Sequence, residues 1–218
     1  MAIYMLHIVI INYTYADNCR TPEQWLAQAS CLIDWAEGVQ GPNVKVTVFQ
    51  RFTEEVVIHR AHVTYHLITD SFRSEPRAWQ LPRRLNWSVH VLCTASLQAG
   101  YNTLAQVNGL HFPLQTLHLR SILPQRCAMA VHHRGEQPWS LPQRVLQRWG
   151  LRQIDGFLFA DKQVAQTWID HKAIGAQQAL YTIAPATASS SEKESAGRQA
   201  TAIYEEIVFQ RLISVGKT

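Results

Sequence analysis

The stretch Cys127–Trp139, with the sequence CAMAVHHRGEQPW, decides how the rest of the chain is interpreted. A short apolar run ends in two adjacent histidines, His132 and His133, and a glycine-containing loop leads to the helix-start signal Ser140-x-x-Gln143. Open α/β sheets are built from buried strands of this kind, and they present reactive side chains at the carboxyl ends of their strands. The stretch therefore predicts a strand that carries titratable side chains to such an edge.

The first fifty residues predict a strand, a helix and a second strand. Met5–Ile11 is apolar and β-branched, as a central parallel strand is, and Val44–Phe49 provides the second strand. Between them, a polar loop from Asn12 to Arg20 is expected to lead to an N-cap at Thr21, because Pro22 and Gln24 complete a helix-start pattern. One helix with a single apolar stripe follows, closed by Gly38. This unit is the beginning of a βαβ fold.

Strand-like and helical segments alternate along the rest of the chain. The further predicted strands are Glu54–His59, Val63–Thr69 (either a hairpin with the preceding one or an edge addition), Ala105–Val107, Cys127–His132, Gly156–Phe159 and Leu180–Ile183. The further predicted helices are Leu85–Ala99, Leu114–Ile122, Ser140–Trp149 and 162–171. The pattern predicts an α/β fold with a Rossmann-like, mostly parallel sheet and helices on both faces.

Composition suggests a change of organisation near the end of the chain. We expect a Rossmann-like domain over 1–186, and a linker over 187–203, where no apolar residue is larger than alanine. The strand-like run Ile207–Ile213 then predicts that 204–218 either opens a second, truncated domain or packs back on the first.

Net charge permits anionic partners without selecting one. The chain carries a formal charge of +4 and a pI near 9.0, and Arg144, Arg148 and Arg152 share one face of a predicted helix. That face is either solvated or a strip that meets phosphate or a membrane surface, and both interpretations stay open. Basic residues are otherwise scattered, which disfavours a nucleic-acid partner.

Several specific sites are disfavoured by spacing. The first loop has no G-x-G-x-x-G pattern, so a dinucleotide site is not expected, and the final Gly216-Lys217-Thr218 lacks the earlier glycine of a phosphate loop. The four cysteines have no zinc spacing, and His59, His62 and His66 are not expected to converge, so no metal site is predicted. The run Tyr4–Ile11 is too short to span a bilayer, so a cytoplasmic protein is expected.

Seven segments together carry a resemblance to a known family. They are TPEQWL…IDWAEG, VKVTVFQRF, VTYHLITD, VNGLHFPLQTLHLRSILP, AVHHRGEQP, LQRWGLRQIDGFLFADKQVAQTWI and IVFQRL. In order and spacing, the chain resembles the amino-terminal, acceptor-side domain of GT-B fold glycosyltransferases of glycosyltransferase family 4. In such enzymes two Rossmann-like domains face each other across a cleft, and the carboxyl-terminal domain binds the nucleotide-sugar donor.

The resemblance implies a set of site residues. The cleft-facing histidine at the end of the fifth parallel strand matches His133, with His132 as a one-residue alternative, and these are the catalytic candidates. Acceptor binding is implied for the loop residues Asn108, Gly109 and His111 and for Asn12 and Thr21 in and after the first loop. The resemblance implies that Arg211 and Lys217 bind the phosphates of the donor.

The resemblance also implies an activity. The family transfers a sugar from a nucleotide sugar to a glycan, lipid-linked or small-molecule acceptor, typically with retention, and needs neither metal nor other cofactor for catalysis. Because some acceptors of the family are lipid-linked, the resemblance also implies that the protein contacts the inner membrane face peripherally. The usual first-loop glycine pair is absent and the chain stops where the donor domain would start, so the sequence is expected to be inactive alone. A non-catalytic α/β ligand-binding or interaction module is the alternative.

Overall fold

The computed structural model describes residues 5–39, 41, 43–72, 74, 77, 79–183 and 190–217, with backbone only for 190–194. The described residues form seven helices and one eight-stranded sheet. The strands are β1 (Leu6–Tyr15), β2 (Val44–Arg51), β3 (Val56–Arg60), β4 (Val63–Ile68), β5 (Asn102–Asn108), β6 (Ala128–His132), β7 (Gly156–Phe159) and β8 (Leu180–Thr182). The helices are α1 (Pro22–Gln28), α2 (Ser30–Gly38), α3 (Arg83–Gln98), α4 (Pro113–Ile122), α5 (Gln143–Leu151), α6 (Lys162–Asp170) and α7 (Ser190–Gly216).

The sheet has the order β3-β4-β2-β1-β5-β6-β7-β8. Every neighbouring pair is parallel except the β3–β4 hairpin, which is antiparallel. The predicted α/β class with a mostly parallel sheet is confirmed, as are the hairpin and the N-cap at Thr21, whose hydroxyl accepts a hydrogen bond from the Gln24 backbone N–H.

Two boundaries near the start of the chain differ from the prediction. The loop predicted from Asn12 is wrong because β1 continues to Tyr15, with Asn12 still paired to both neighbouring strands. The predicted single helix is broken at Ala29 into α1 and α2.

Two apolar clusters cover the two faces of the sheet. On one face, α1, α2 and α7 pack over even-numbered β1 residues such as Ile8 and Ile10. On the other face, α3, α4, α5 and α6 pack over odd-numbered residues such as Val9 and Ile11. Because side chains alternate along a strand, a central strand buried on both faces must be apolar throughout, as β1 is up to Ile11.

The carboxyl-terminal segment is one long helix, α7. The strand predicted over 207–213 is therefore wrong, and so is the loop predicted over 190–203; residues 187–189 lie outside the described residues. The buried side chains Ala196, Ala200, Tyr204, Ile207 and Val208 recur every three or four residues, which is the helical period. Alanine and glycine, which suggested a linker, are the residues that let α7 approach its neighbours closely.

Gly197 marks the closest approach between α7 and α2. A Cβ atom built on Gly197 would collide with the backbone carbonyl oxygen of Gly38, at the end of α2. Further along, Tyr204 donates a short hydrogen bond to Gln106 of β5, and Ile207 lies against Gly156 of β7. α7 thus packs on the same sheet as the preceding helices.

We expect Gly197→Ala to destabilise the protein by about 2 kcal/mol, because overpacking against backbone outweighs the better helix propensity of alanine. Gly216→Ala is the matched control, since nothing lies within 4 Å of a Cβ atom there. The measurement is urea unfolding of both variants. A Gly197→Ala protein as stable as the Gly216→Ala protein would contradict the docking of α7 on α2.

Candidate functional site at the carboxyl edge of the sheet

Four neutral polar side chains lie side by side where four neighbouring parallel strands end. Asn12 of β1 is the register partner of both Gln50 of β2 and Asn108 of β5, and Asn108 is the partner of His132 of β6. Register partners in parallel strands point to the same face, so the four form one line across the sheet, called here the polar row. Three of the four are nearly buried and Asn12 is half-buried.

Hydrogen bonds fix the amides of the polar row. The Asn12 side-chain N–H donates to Gln50 Oε1 over 2.8 Å, and the Gln106 side-chain N–H donates to Asn108 Oδ1 over 2.8 Å. Tyr204 of α7 donates in turn to Gln106 Oε1. A chain of neutral donors and acceptors therefore runs from the core to this edge, with rotamers already set by the fold.

His132 ends the polar row and is held in its neutral form. Burial, with smaller effects from the charges of Arg134 and His133, lowers the pKa of His132 from 6.5 to about 3. Its ring packs against Trp35 of α2, with 4.6 Å between ring centroids. Neither ring nitrogen has a hydrogen-bond partner among the described residues, and Nδ1 is fully buried. His132 is thus a neutral imidazole with unused hydrogen-bonding capacity.

His133 points to the opposite face, because adjacent residues of an extended chain alternate. Its ring lies 5.4 Å from that of Phe159 and 5.9 Å from that of Trp168. Its Nε2–H donates to the Glu136 carbonyl over 2.9 Å, and its Nδ1 accepts a long 3.4 Å bond from Gly135 N–H. Both nitrogens of His133 are thereby used to shape the loop that follows the strand.

A cleft of about 490 Å³ opens beside both histidines. Its walls come from Cys31, Asp34 and Trp35 of α2, from Arg134 and Gly135 of the loop after β6, and from Ala160, Val164 and Ile183. A smaller cleft of about 250 Å³ lies at the other end of the polar row, where Asn12 and Gln50 meet Trp25 and Gln28 of α1. The polar row therefore connects two openings on one edge.

Glu136 and Trp35 are site residues that sequence reasoning missed. The Glu136 carboxylate accepts the Arg134 N–H over 2.7 Å and lies against Gly109, where a Cβ atom would be only 2.6 Å from Glu136 Oε1. Gly109 has a φ of 95°, so glycine is needed there both for the backbone and for the carboxylate. A carboxylate three residues after the predicted site residue His133 was a signal for Glu136, whereas no nearby sequence pattern indicates a site role for Trp35.

His111 and Thr21 hold structure rather than line the larger cleft. His111 is exposed, donates from Nε2 to the Gln137 carbonyl over 3.1 Å, and stacks near Trp139. The Thr21 hydroxyl is occupied as the cap of α1. Of the predicted acceptor residues, the structure brings together Asn12, Asn108 and Gly109 with His132.

Arg211 lies at the opposite edge of the sheet. Its guanidinium donates to the Gln125 carbonyl over 2.7 Å and to the Asp155 carboxylate over 3.3 Å, and these two residues precede β6 and β7. Lys217 is exposed just beyond the end of α7. The prediction that Arg211 and Lys217 hold donor phosphate assumed a strand over 207–213, but the chain forms α7 there and Arg211 lies away from the histidines.

Two general features of the described residues bear on partners. No three histidine, cysteine, aspartate or glutamate side chains cluster within them as a metal ion would require. None of the described helices combines the length and the apolar character needed to span a bilayer.

The buried neutral histidines should make the fold sensitive to acid. The unfolded chain binds these protons near pH 6.5, whereas burial lowers the pKa of both His132 and His7 to about 3. The free energy of unfolding therefore falls as the pH is lowered below about 6.5. We expect His132→Asn to reduce that slope by about 1.4 kcal/mol per pH unit between about pH 6 and about pH 5, measured by urea unfolding. The exposed His59→Asn variant is the control, and an unchanged slope in His132→Asn would contradict burial as a neutral ring.

Gly109 and Gly135 provide a matched pair for the loop contact. Both have φ near 95°, but a Cβ atom would meet Glu136 at Gly109 and nothing within 4 Å at Gly135. We expect Gly135→Ala to cost about 1 kcal/mol from backbone strain and Gly109→Ala to cost roughly twice as much. Equal losses in thermal or urea unfolding would contradict a fixed position of the Glu136 carboxylate against Gly109.

Comparison with known proteins supports the fold of this site. No family model and no curated protein matches the sequence. Among solved structures, a two-segment form of sucrose-phosphate synthase from Thermosynechococcus elongatus matches with a TM-score of 0.59 and 15% identity, over 92% of this chain and 98% of that one. The longer sucrose-phosphate synthase chain from the same organism matches with a TM-score of 0.54 and 12% identity, over 82% of this chain and 48% of that one.

A trehalose-phosphate synthase from Burkholderia vietnamiensis gives a TM-score of 0.42 at 11% identity, over 83% of this chain and 47% of that one. This chain spans about half the length of the longer sucrose-phosphate synthase chain that it matches. At these identities the likeness is one of fold. The chain has the Rossmann-like α/β fold of one half of a GT-B glycosyltransferase.

Proposed function

We propose that this chain is the acceptor-binding half of a glycosyltransferase, and that it holds a hydroxyl-rich acceptor in the 490 Å³ cleft. The observation that carries the proposal is the end of the polar row, where neutral His132 lies against Trp35 at the carboxyl edge of a GT-B half. Ligands of open α/β sheets bind at this edge, in clefts with apolar walls and a few converging polar groups.

The chemistry of the walls suits a sugar better than a simple anion. Trp35 offers an aromatic surface for the apolar face of a ring, while His132 offers hydrogen bonds without a charge. Asp34 and Arg134 add one charge of each sign to the lining, so they can orient hydroxyl groups without giving the cleft a strong net potential. A hydroxyl-rich acceptor satisfies all of these groups at once.

His132 is proposed to orient the acceptor hydroxyl rather than to remove its proton. A ring whose pKa is about 3 is a very weak base near neutral pH, so deprotonation by His132 would be inefficient. A fixed neutral hydrogen-bonding group still contributes by alignment of the reacting hydroxyl. His133 is proposed as a positioning residue, since its hydrogen bonds hold the loop of Arg134 and Glu136 in place.

The proposal also covers how the nucleotide-sugar donor would bind. A nucleotide sugar would approach from the open side of the cleft, held mainly by a second, facing domain, and the retaining, metal-independent course is what the family 4 resemblance implies. Arg134 replaces Arg211 and Lys217 as the proposed contact for donor phosphate in this chain, because it lines the cleft while Arg211 pairs with Asp155 at the other edge.

The test is a calorimetric titration of the chain with a panel of neutral mono- and disaccharides and with nucleotide sugars. We expect at least one neutral sugar to bind with a Kd of order millimolar and no nucleotide sugar to bind much more tightly. His132→Phe, which keeps a ring of similar size against Trp35, should weaken sugar binding by about tenfold through the lost hydrogen bond.

His59→Phe is the matched control, because His59 lies exposed on the β3–β4 hairpin. Binding of a sugar that is equally strong in the wild type and in His132→Phe would contradict the site. Tight binding of a nucleotide sugar to this chain alone would contradict its assignment to the acceptor side.

A further inference from the structure

Charge is distributed very unevenly along this chain. Residues 71–152 contain ten of the 20 lysine and arginine residues, all of them arginine, and only two of the 16 acidic residues. This segment includes α3, α4 and α5, which lie on the same face of the sheet. The remainder of the chain has more acidic than basic residues, so the basic charge is concentrated in this segment although the net charge is only +4.

The basic segment also exposes an apolar stripe on α5 and the turn before it. Leu141, Val145 and Trp149 recur every four residues and are 68%, 67% and 45% exposed. Val145 and Trp149 are four residues apart and therefore lie on one face of α5, and Leu141 lies in the turn before the helix. We call this set the α5 stripe.

Arginines border the α5 stripe. Arg148 and Arg152 are exposed, and Arg152 lies 5.7 Å from the centre of the Trp149 ring. Within the described part of the chain, neither Arg148 nor Arg152 forms an ion pair with a carboxylate. Arg144, on the same side, is half-buried and donates to the Trp139 carbonyl.

The inner face of α5 cannot turn outward to hide the α5 stripe. Gly150 packs directly against Pro113 at the start of α4, where a Cβ atom would be 2.5 Å from the proline carbonyl oxygen. Gln147 is buried, accepts the Trp139 N–H, and donates to the Leu110 carbonyl over 3.2 Å. These contacts fix the rotation of α5, so Leu141, Val145 and Trp149 stay at the surface.

We propose that the α5 stripe docks the protein on an anionic lipid surface, with Leu141, Val145 and Trp149 inserted at the interface and Arg148 and Arg152 on the lipid headgroups. A helix with apolar side chains on one face and arginines beside them binds such surfaces by adding apolar burial to electrostatic attraction. Residues 71–152 contain only two acidic residues, which limits repulsion as α5 approaches the membrane.

A lipid surface fits these features better than other anionic partners. Nucleic acid would use the arginines but would leave the aliphatic Leu141 and Val145 exposed to water. The stripe is exposed at the surface, which suits insertion between headgroups. The contact would be peripheral, and because α5 follows the loop that lines the cleft, it would hold the cleft close to the membrane.

The experiment is co-sedimentation of the full chain with vesicles of phosphatidylcholine alone and of phosphatidylcholine with about one-third phosphatidylserine. We expect binding to the anionic vesicles only, weakened by high salt. Loss of two headgroup contacts in Arg148→Gln/Arg152→Gln should lower the partition coefficient by about thirtyfold. Val145→Ser/Trp149→Ser should lower it by at least about tenfold through lost apolar burial.

Two control variants remove cationic or apolar side chains at positions away from the α5 stripe. Arg20→Gln/Lys45→Gln removes two exposed cations outside the basic segment, and Phe209→Ser removes an apolar side chain that is 59% exposed on α7, across the sheet. Both should bind vesicles like the wild type. Thermal unfolding verifies that all variants are folded, as expected for exposed positions.

Three outcomes would overturn the proposal. They are no binding of the wild type to anionic vesicles, equal loss in the control variants, and undiminished binding of Val145→Ser/Trp149→Ser, which would indicate attraction to polyanions in general. Stronger binding to duplex DNA than to vesicles would equally overturn it in favour of nucleic acid. None of these measurements depends on sugar binding, so the two proposals fail separately.

Discussion

The parallel register of β2, β1, β5 and β6 is the constraint on which the candidate site depends. Each of the residues Gln50, Asn12, Asn108 and His132 comes from a different part of the chain, and only strand pairing makes them neighbours. A shift of any strand by one residue would turn its polar side chain to the other face, into the apolar cluster beneath α3 to α6. The cost of burying an amide or imidazole among those apolar residues, without hydrogen bonds, therefore helps to fix the same register that builds the site.

The same alternation separates the two histidines that the sequence places together. His132 contacts Trp35 on one face, whereas His133 contacts Phe159 and Trp168 on the other. From sequence alone the pair could be assigned to a strand end but not divided between two roles, because the division requires knowing which helix covers which face. The resemblance favoured His133; the geometry gives the unused hydrogen-bonding capacity to His132.

The parts of the fold that were predictable are those specified locally. The alternating strands and helices, the β3–β4 hairpin and the Thr21 cap follow from periodicity and from short patterns. α7 was not predictable in this way. Its small residues are typical of a linker, and only the tertiary contacts show otherwise. Gly197 lies against Gly38 of α2, and Tyr204 bonds to Gln106 of β5, a residue 98 positions away in the sequence. Trp35 was missed for the same reason, since its place beside His132 is a tertiary contact.

Ion pairs at the amino edge of the sheet contrast with the neutral polar row at its carboxyl edge. At the amino edge, the carboxylate of Asp155 lies within 3.3 Å of Arg211 and 3.9 Å of Arg120, and these cations also donate to backbone carbonyls. Arg211 and Arg120 therefore hold α7 and α4 against the strands. At the carboxyl edge, the polar row is neutral. A ligand there can bind to hydrogen-bonding groups that the fold has already oriented, and its binding costs little free energy for breaking ion pairs within the row. Arg51 is also buried near the end of β2, where it donates to backbone carbonyls. The polar row itself is neutral, so it can select a ligand by the arrangement of the ligand's hydroxyl groups rather than by its charge.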